Sequence, residues 1–241
     1  EDYVQELMSL PEKIKKRFVF CSYDDFEGLV YNEFIEAFNV INSYKPQEND
    51  YHLHVLDYGF RNPTCILFSA TNYDGETIIY DEIYKAGTLI KDHAIEYKKN
   101  KFVTKARRIA DPSIFKVERD GENVGMEWIK NGVAWQSADN DVRQGIDRVN
   151  TLFKERKLLI TRNCVKTLEE IGNYKWRELK PGQIKNEYEE PVKKDDHACD
   201  NIRYLANEIF TPVKEDDTKP TERERAAEYA IQGGEFNEAS Y

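Results

Sequence analysis

The stretch from Tyr51 to Tyr84 constrains this chain most. It contains three apolar, β-branched segments separated by turn residues. In YHLHVLDYGF, Leu53, Val55 and the ring of Tyr51 fall on one face, which predicts a strand ending near Asp57. Gly59 and the Asn62–Pro63 pair predict a turn, and residues 64–70 (TCILFSA) a second strand. Asn72, Asp74 and Gly75 supply the next turn, and residues 76–84 (ETIIYDEIY) the third strand. Segments this short, joined by turns this tight, pair as an antiparallel meander.

The pattern then changes to alternating helices and strands. Residues 88–100 read as an amphipathic helix, 106–110 (ARRIA) as a short strand, and Ser113 as the opening of another helix. Residues 133–137 (VAWQS) read as a strand. Residues 141–156 read as a helix with Val142, Ile146, Val149, Leu152 and Phe153 inward. A strand at 158–161, a helix at 165–174, a hairpin or loop at 176–194 and a last helix at 195–210 complete the order. The inner stripe of that helix is Ala198, Ile202, Leu205, Ala206 and Ile209. A meander followed by such alternation predicts an α/β fold: a mixed sheet, antiparallel then parallel, with helices on both faces. Residues 1–45 read as a polar, helical appendage broken at Pro11. Residues 43–50 read as a linker, 46–210 as the main domain, and 211–241 as a mobile tail.

Composition removes several classes. No run of eighteen apolar residues occurs, so no transmembrane helix is expected, and no membrane partner. Residues 1–10 lack the basic start and apolar stretch of a signal peptide. Cys21, Cys65, Cys164 and Cys199 form no CxxC pair, which excludes zinc-finger spacing and suits a reducing cytoplasm. A net charge of −10 argues against a dedicated, tight nucleic-acid binder. The charge is uneven, however: seven Lys or Arg lie between Lys91 and Arg108.

Three groups of acidic residues stand where a rigid scaffold could aim them. Asp57 ends a largely apolar strand, where a carboxylate is costly unless it binds a cation or caps the turn at Gly59. Asp111 ends the ARRIA strand before Pro112, and an ordinary N-cap is the competing reading. In DDHACD (195–200), Asp196 and His197 lie four and three residues before Asp200, so either shares a helical face with it. The helix dipole explains acidic residues in a first turn, but it fades by Asp200. Carboxylates converging from separate elements are what two-metal phosphoryl chemistry requires.

The LDYG strand end (56–59), ADPS (110–113) and DDHACDNIRY (195–204) together resemble the nuclease domain of the large terminase subunit of tailed bacteriophages, a branch of the ribonuclease H-like superfamily. GIDRVNTLF (145–153), LLITRNC, and the segment from Glu170 to Trp176 follow that family's layout. The likeness covers about 51–210, and DDFEGLVYNEF (24–34) resembles the family's connection between ATPase and nuclease. It implies a ribonuclease H-like fold and an endonuclease that cuts concatemeric DNA at the start and end of viral genome packaging. It further implies metal-binding roles for Asp57, Asp111 and Asp200, with Asp196 as an extra ligand and His197 beside the metal. Asp57 and Asp200 would hold one Mg²⁺ or Mn²⁺ ion, and Asp57 and Asp111, aided by Asp196, a second. Residues 183–194 match a hairpin near the family's active site.

The implied partners are double-stranded DNA, the ATPase domain of the full-length protein, and the portal and small terminase subunit. The implied setting is the cytoplasm of an infected bacterium. No GxxxxGK[ST] loop occurs, so this chain should cut DNA without ATP. Lys98, Lys99, Lys101, Lys105, Arg107 and Arg108 are candidate phosphate contacts, against the plainer reading of a solvated face. Three rivals remain at this point: a resolvase or RNase H using the same metal logic, a sugar-kinase or actin-like ATPase, and a non-catalytic module docking on portal or small subunit. The ATPase needs a second domain and a second phosphate loop, for which the chain is too short.

Overall fold

The computed structural model describes residues 28–117, 121–177 and 190–210. The helical reading of residues 1–27, most of the 183–194 hairpin and the tail 211–241 lie outside the described residues. Element order is α1 (Glu36–Asn39), β1 (Val40–Ile41), β2 (Tyr51–Asp57), β3 (Thr64–Thr71), β4 (Thr77–Lys85), α2 (Ile90–Tyr97) and β5 (Arg107–Ala110). There follow α3 (Val124–Lys130), β6 (Gln136–Ser137), α4 (Val142–Lys154), β7 (Leu158–Thr161), α5 (Val165–Asn173) and α6 (His197–Phe210). One seven-stranded sheet runs β1-β7-β4-β3-β2-β5-β6. β2, β3 and β4 pair antiparallel, and the remaining neighbours pair parallel. This is the mixed sheet expected from the sequence.

The side-chain alternation of a strand sorts β2 between two cores. Leu53 and Val55 join a cluster with Val149 and Phe153 of α4, Ile171 of α5, and Ile202 and Leu205 of α6. Leu56 faces the opposite way, toward Ile90 and Ala94 of α2 and Trp128 of α3. Helices therefore cover both faces. The predicted stripe of α6 is inward: Ala198, Ile202, Leu205 and Ala206 are buried, and Ile209 packs at the margin.

Three local expectations change. Val40–Ile41, read as helical, is an edge strand on β7, with Val40 opposite Ile160. Two β-branched residues beside a free strand edge gain more from pairing than from extending a one-turn helix. The helix expected from Ser113 is a single 3-10 turn, Pro112–Phe115. The strand expected at 133–137 shrinks to Gln136–Ser137, because Gly132 at φ 74° and Val133 N bonded to Trp128 O turn the chain back off α3. The helix expected between the 106–110 and 133–137 strands starts later than Ser113, as α3 at Val124. Asn123 caps it by accepting from Met126 N at 2.8 Å, and Gly125 lies against the Phe115 ring.

Candidate active site

The sheet's parallel pair β2–β5 sets the first two carboxylates. Leu56 is in register with Ala110, and Asp111 N donates to Leu56 O at 2.9 Å. Asp57 and Asp111 thus stand at the same ends of adjacent parallel strands, the usual place for a crevice in such sheets. Alternation puts Asp57 on the α6 face with Leu53 and Val55. Helix α6 crosses β2 and β3 there, and Asn201 Nδ2 ties it to Cys65 O at 2.9 Å.

The start of α6 is held by a residue outside the predicted set. Buried Glu170 of α5 accepts from Ala198 N at 2.6 Å and from the Tyr84 hydroxyl. A carboxylate at a helix N-terminus satisfies donors that have no partner within the helix. His197 and Asp200, the first and fourth residues of α6, are thereby fixed toward the strand ends.

Three of the four carboxylates accept protein hydrogen bonds, and Asp196 has an ion pair instead. His197 Nδ1 lies 2.7 Å from Asp57 Oδ2; an ionised Asp57 can only accept, so the ring donates. Asp111 Oδ1 accepts from Ser113 N at 2.6 Å, as an N-cap would, while Oδ2 accepts from the Tyr204 hydroxyl. Asp200 Oδ1 accepts from Arg203 Nη2 at 2.9 Å, and Oδ2 from Lys193 Nζ at 3.1 Å. Asp196 Oδ2 is buried and makes no hydrogen bond; Lys193 Nζ lies 3.5 Å away. Arg203 is 1% exposed, its Nη1 bonds Asn140 Oδ1 at 2.8 Å, and its side chain lies against Gly145 of α4.

The electrostatics record that convergence. Burial pushes the Asp57 carboxyl up, and Asp111 and Asp200 push the same way, against the bond to His197. The bond to Asp57 lifts His197 above the ordinary imidazole value despite its burial. Burial and then Asp200 raise Asp196. At Asp111 burial acts upward, but the Ser113 and Tyr204 hydrogen bonds outweigh it and hold the carboxyl low.

Among the described residues, no three His, Cys, Asp or Glu side chains are arranged to hold a metal ion as they stand. The donor set fits a hard divalent ion in kind, since Asp57, Asp111, Asp196 and Asp200 offer oxygen alone and Asp196 Oδ2 lacks any hydrogen bond. An ionised carboxylate has about four lone-pair sites, so the donors on Asp111 and Asp200 leave positions at which an ion could bind.

The candidate phosphate contacts are not gathered at these carboxylates. Arg107 opens β5, at the far end of that strand from Asp111, and pairs with Glu208 near the end of α6. Lys105 pairs with Glu48, Lys98 bonds Asn131 O at 2.6 Å, and Lys101 lies over the Phe102 ring. Lys99 is exposed, and Arg108 is half-buried toward Tyr97. The sequence reading missed Lys193, Arg203, Tyr204 and Glu170 as partners of the cluster. For Arg203 and Tyr204 a signal existed: they follow Asp200 by three and four residues, one helical turn.

No family model matches the chain. It is 25% identical over 199 residues to the terminase large subunit of Escherichia phage T5, a match spanning 76% of this chain and 42% of that protein. The nuclease domain of the P22 large terminase aligns with a TM-score of 0.63 at 16% identity, over 76% of this chain and 93% of that domain. The large terminase nuclease of thermophilic phage G20c, with bound magnesium, aligns with a TM-score of 0.53 at 12% identity, over 75% and 97%. The fold is that of these nuclease domains. The likeness read from LDYG, ADPS and DDHACDNIRY is met in sequence by one large subunit and in fold by the other two.

Proposed function

We propose that this chain is the nuclease part of a phage packaging terminase, hydrolysing DNA phosphodiester bonds with divalent cations. The observation that carries the reading is that α6, which carries Asp200, bonds through His197 and Tyr204 to Asp57 and Asp111 at adjacent strand ends, within a fold shared with terminase nuclease domains. Because the chain spans under half of the T5 protein, the ATPase domain, the portal and the small subunit belong to this proposal as partners in the longer protein's work. The infected cell's cytoplasm belongs to it as the setting. Among the described residues no helix is long and apolar enough to cross a membrane.

Asp57 and Asp200 would hold one Mg²⁺ or Mn²⁺, and Asp57 and Asp111, aided by Asp196, a second. Such ions supply an ionised water and neutralise the leaving oxygen. The chain's own residues do the rest. His197 holds a proton at Nδ1 against Asp57 and releases the carboxylate when that proton leaves. Tyr204 and Ser113 orient Asp111, and Arg203 fixes Asp200 in a buried setting where it cannot turn freely.

The test is nicking and linearisation of supercoiled plasmid in Mg²⁺, Mn²⁺ or EDTA without ATP, with folded Asp57→Asn and Asp200→Asn beside wild type. Metal-dependent cutting lost in both variants is the expected result. Cutting that survives both would remove the assignment of the site. A folded wild type inert in either metal would move the weight to a docking module, and preference for RNA–DNA hybrid to an RNase H.

A further inference from the structure

We propose that Lys193 is a built-in competitor for the cation site, its ammonium occupying the carboxylate oxygens a divalent ion must take. This deepens the nuclease reading and rests on it. Asp200 has two oxygens in contrasting hands. Oδ1 is bound by Arg203, which is buried and anchored on Asn140. Oδ2 is bound by Lys193, whose side chain is 54% exposed. The same Nζ lies 3.5 Å from the otherwise unbonded Asp196 Oδ2. One ammonium thus bridges two carboxylates of the proposed metal set.

The backbone beneath Lys193 is pinned, since Val192 N donates to Lys175 O at 2.9 Å and Pro191 bridges Trp176. Displacement therefore needs only the flexible side chain to swing into water, with no strand movement. Arg203 keeps Asp200 in place meanwhile. A fixed cation orients the ligand and an exchangeable one sets the threshold for metal. Lys194, the next residue, is exposed, and it is Lys193 that pairs with both carboxylates, so Lys194 serves as a control for net charge.

The experiment is calorimetric Mn²⁺ binding to the whole chain at low salt, for wild type, Lys193→Met, Lys193→Arg and Lys194→Met, with plasmid cleavage in parallel. Removing an ammonium in contact with the site, discounted for its exposure, should tighten Mn²⁺ binding about tenfold. Lys193→Arg should stay near wild type, and Lys194→Met should move affinity less than about twofold, as for a screened surface charge. Equal effects of Lys193→Met and Lys194→Met would overturn the inference, as would failure of both wild type and Lys193→Met to bind Mn²⁺. Cutting by wild type with unchanged binding in Lys193→Met removes the inference and leaves the nuclease reading. The predicted affinity shift without cutting under any condition does the reverse.

Discussion

The two faces of the sheet bury polar groups in opposite ways. On the α6 face, β2 presents Leu53, Val55 and then Asp57, and the buried polar groups include ionic ones: Arg203 with Asp200, His197 with Asp57, Glu170 at the head of α6. On the α2–α3 face, β2 presents His52, His54 and Leu56, and the polar groups are neutral rings. His54 Nδ1 meets the Tyr97 hydroxyl at 2.9 Å, while both nitrogens of His93 and the indole N–H groups of Trp128 and Trp135 have no hydrogen bond. One strand, read at period two, thus separates a face that concentrates charge at its strand end from a face whose buried polar groups are aromatic rings, with Arg108 only half-buried beside them. Charge is retained where a neighbouring charge compensates burial; where none does, the group gives up its charge.

The strongest way to break this comparison is Arg203→Leu. It leaves Asp200 without its buried partner, and losing one member of such a pair costs about 3–5 kcal/mol. Urea unfolding should show that loss, and Arg203→Leu with Asp200→Asn should recover part of it. A loss under about 1 kcal/mol, the scale of an exposed pair, would mean Arg203 is solvated and the ionic character of this face is superficial.

A second test concerns the room made for Arg203. Gly145 sits inside α4, where glycine is unfavourable, yet a Cβ there would clash with Arg203 Cγ. Gly145→Ala should therefore destabilise by about 1–3 kcal/mol, although the same change on an open helix face stabilises. Gly172 of α5 has nothing within 4 Å of its would-be Cβ and is the matched control, expected to shift the other way.

The neutral face is tested by acid. Burial lowers His54 to about 3. The unfolded chain takes up that proton near pH 6.5, while the native chain resists until about 3. Stability from this residue is therefore complete above about pH 6.5 and falls as pH drops toward 3, by about 2 kcal/mol at pH 5. His54→Phe should show a correspondingly shallower acid limb in denaturant titrations at pH 5 and 7. Parallel limbs would mean the imidazole is charged in the fold, and the contrast between the faces would collapse.

Much of this organisation was legible because it depends on local pattern. The meander from Tyr51 was readable since alternation and turn residues agree there, and the order of elements placing Asp57, Asp111 and Asp200 followed from strand ends and one helical spacing. What stayed hidden depends on tertiary contact. Lys193 differs from Lys194 in nothing a sequence shows, and Glu170 reads as the polar face of an amphipathic helix until α6 begins against it. The edge strand Val40–Ile41 is too short for any periodicity. Arg107 and Lys105 read as a basic patch because the sequence does not reveal that Glu208 and Glu48 meet them.

The smallest effect asks whether the two faces differ in anything besides burial. Each has a helix capped in the same manner: Asp141 accepts from Gln144 N at 2.9 Å ahead of α4, and Asn123 accepts from Met126 N at 2.8 Å ahead of α3. Caps act on the first turn alone, so Asp141→Ala and Asn123→Ala should each cost about 1 kcal/mol. Neither side chain bonds a proposed metal ligand, so both variants should retain metal-dependent cutting. Equal costs, measured by thermal and urea unfolding, would show that the faces share local helix chemistry and differ only in how the sheet between them distributes charge. A much larger cost at Asp141, with loss of cutting, would instead carry the ionic network of the α6 face out to the head of α4.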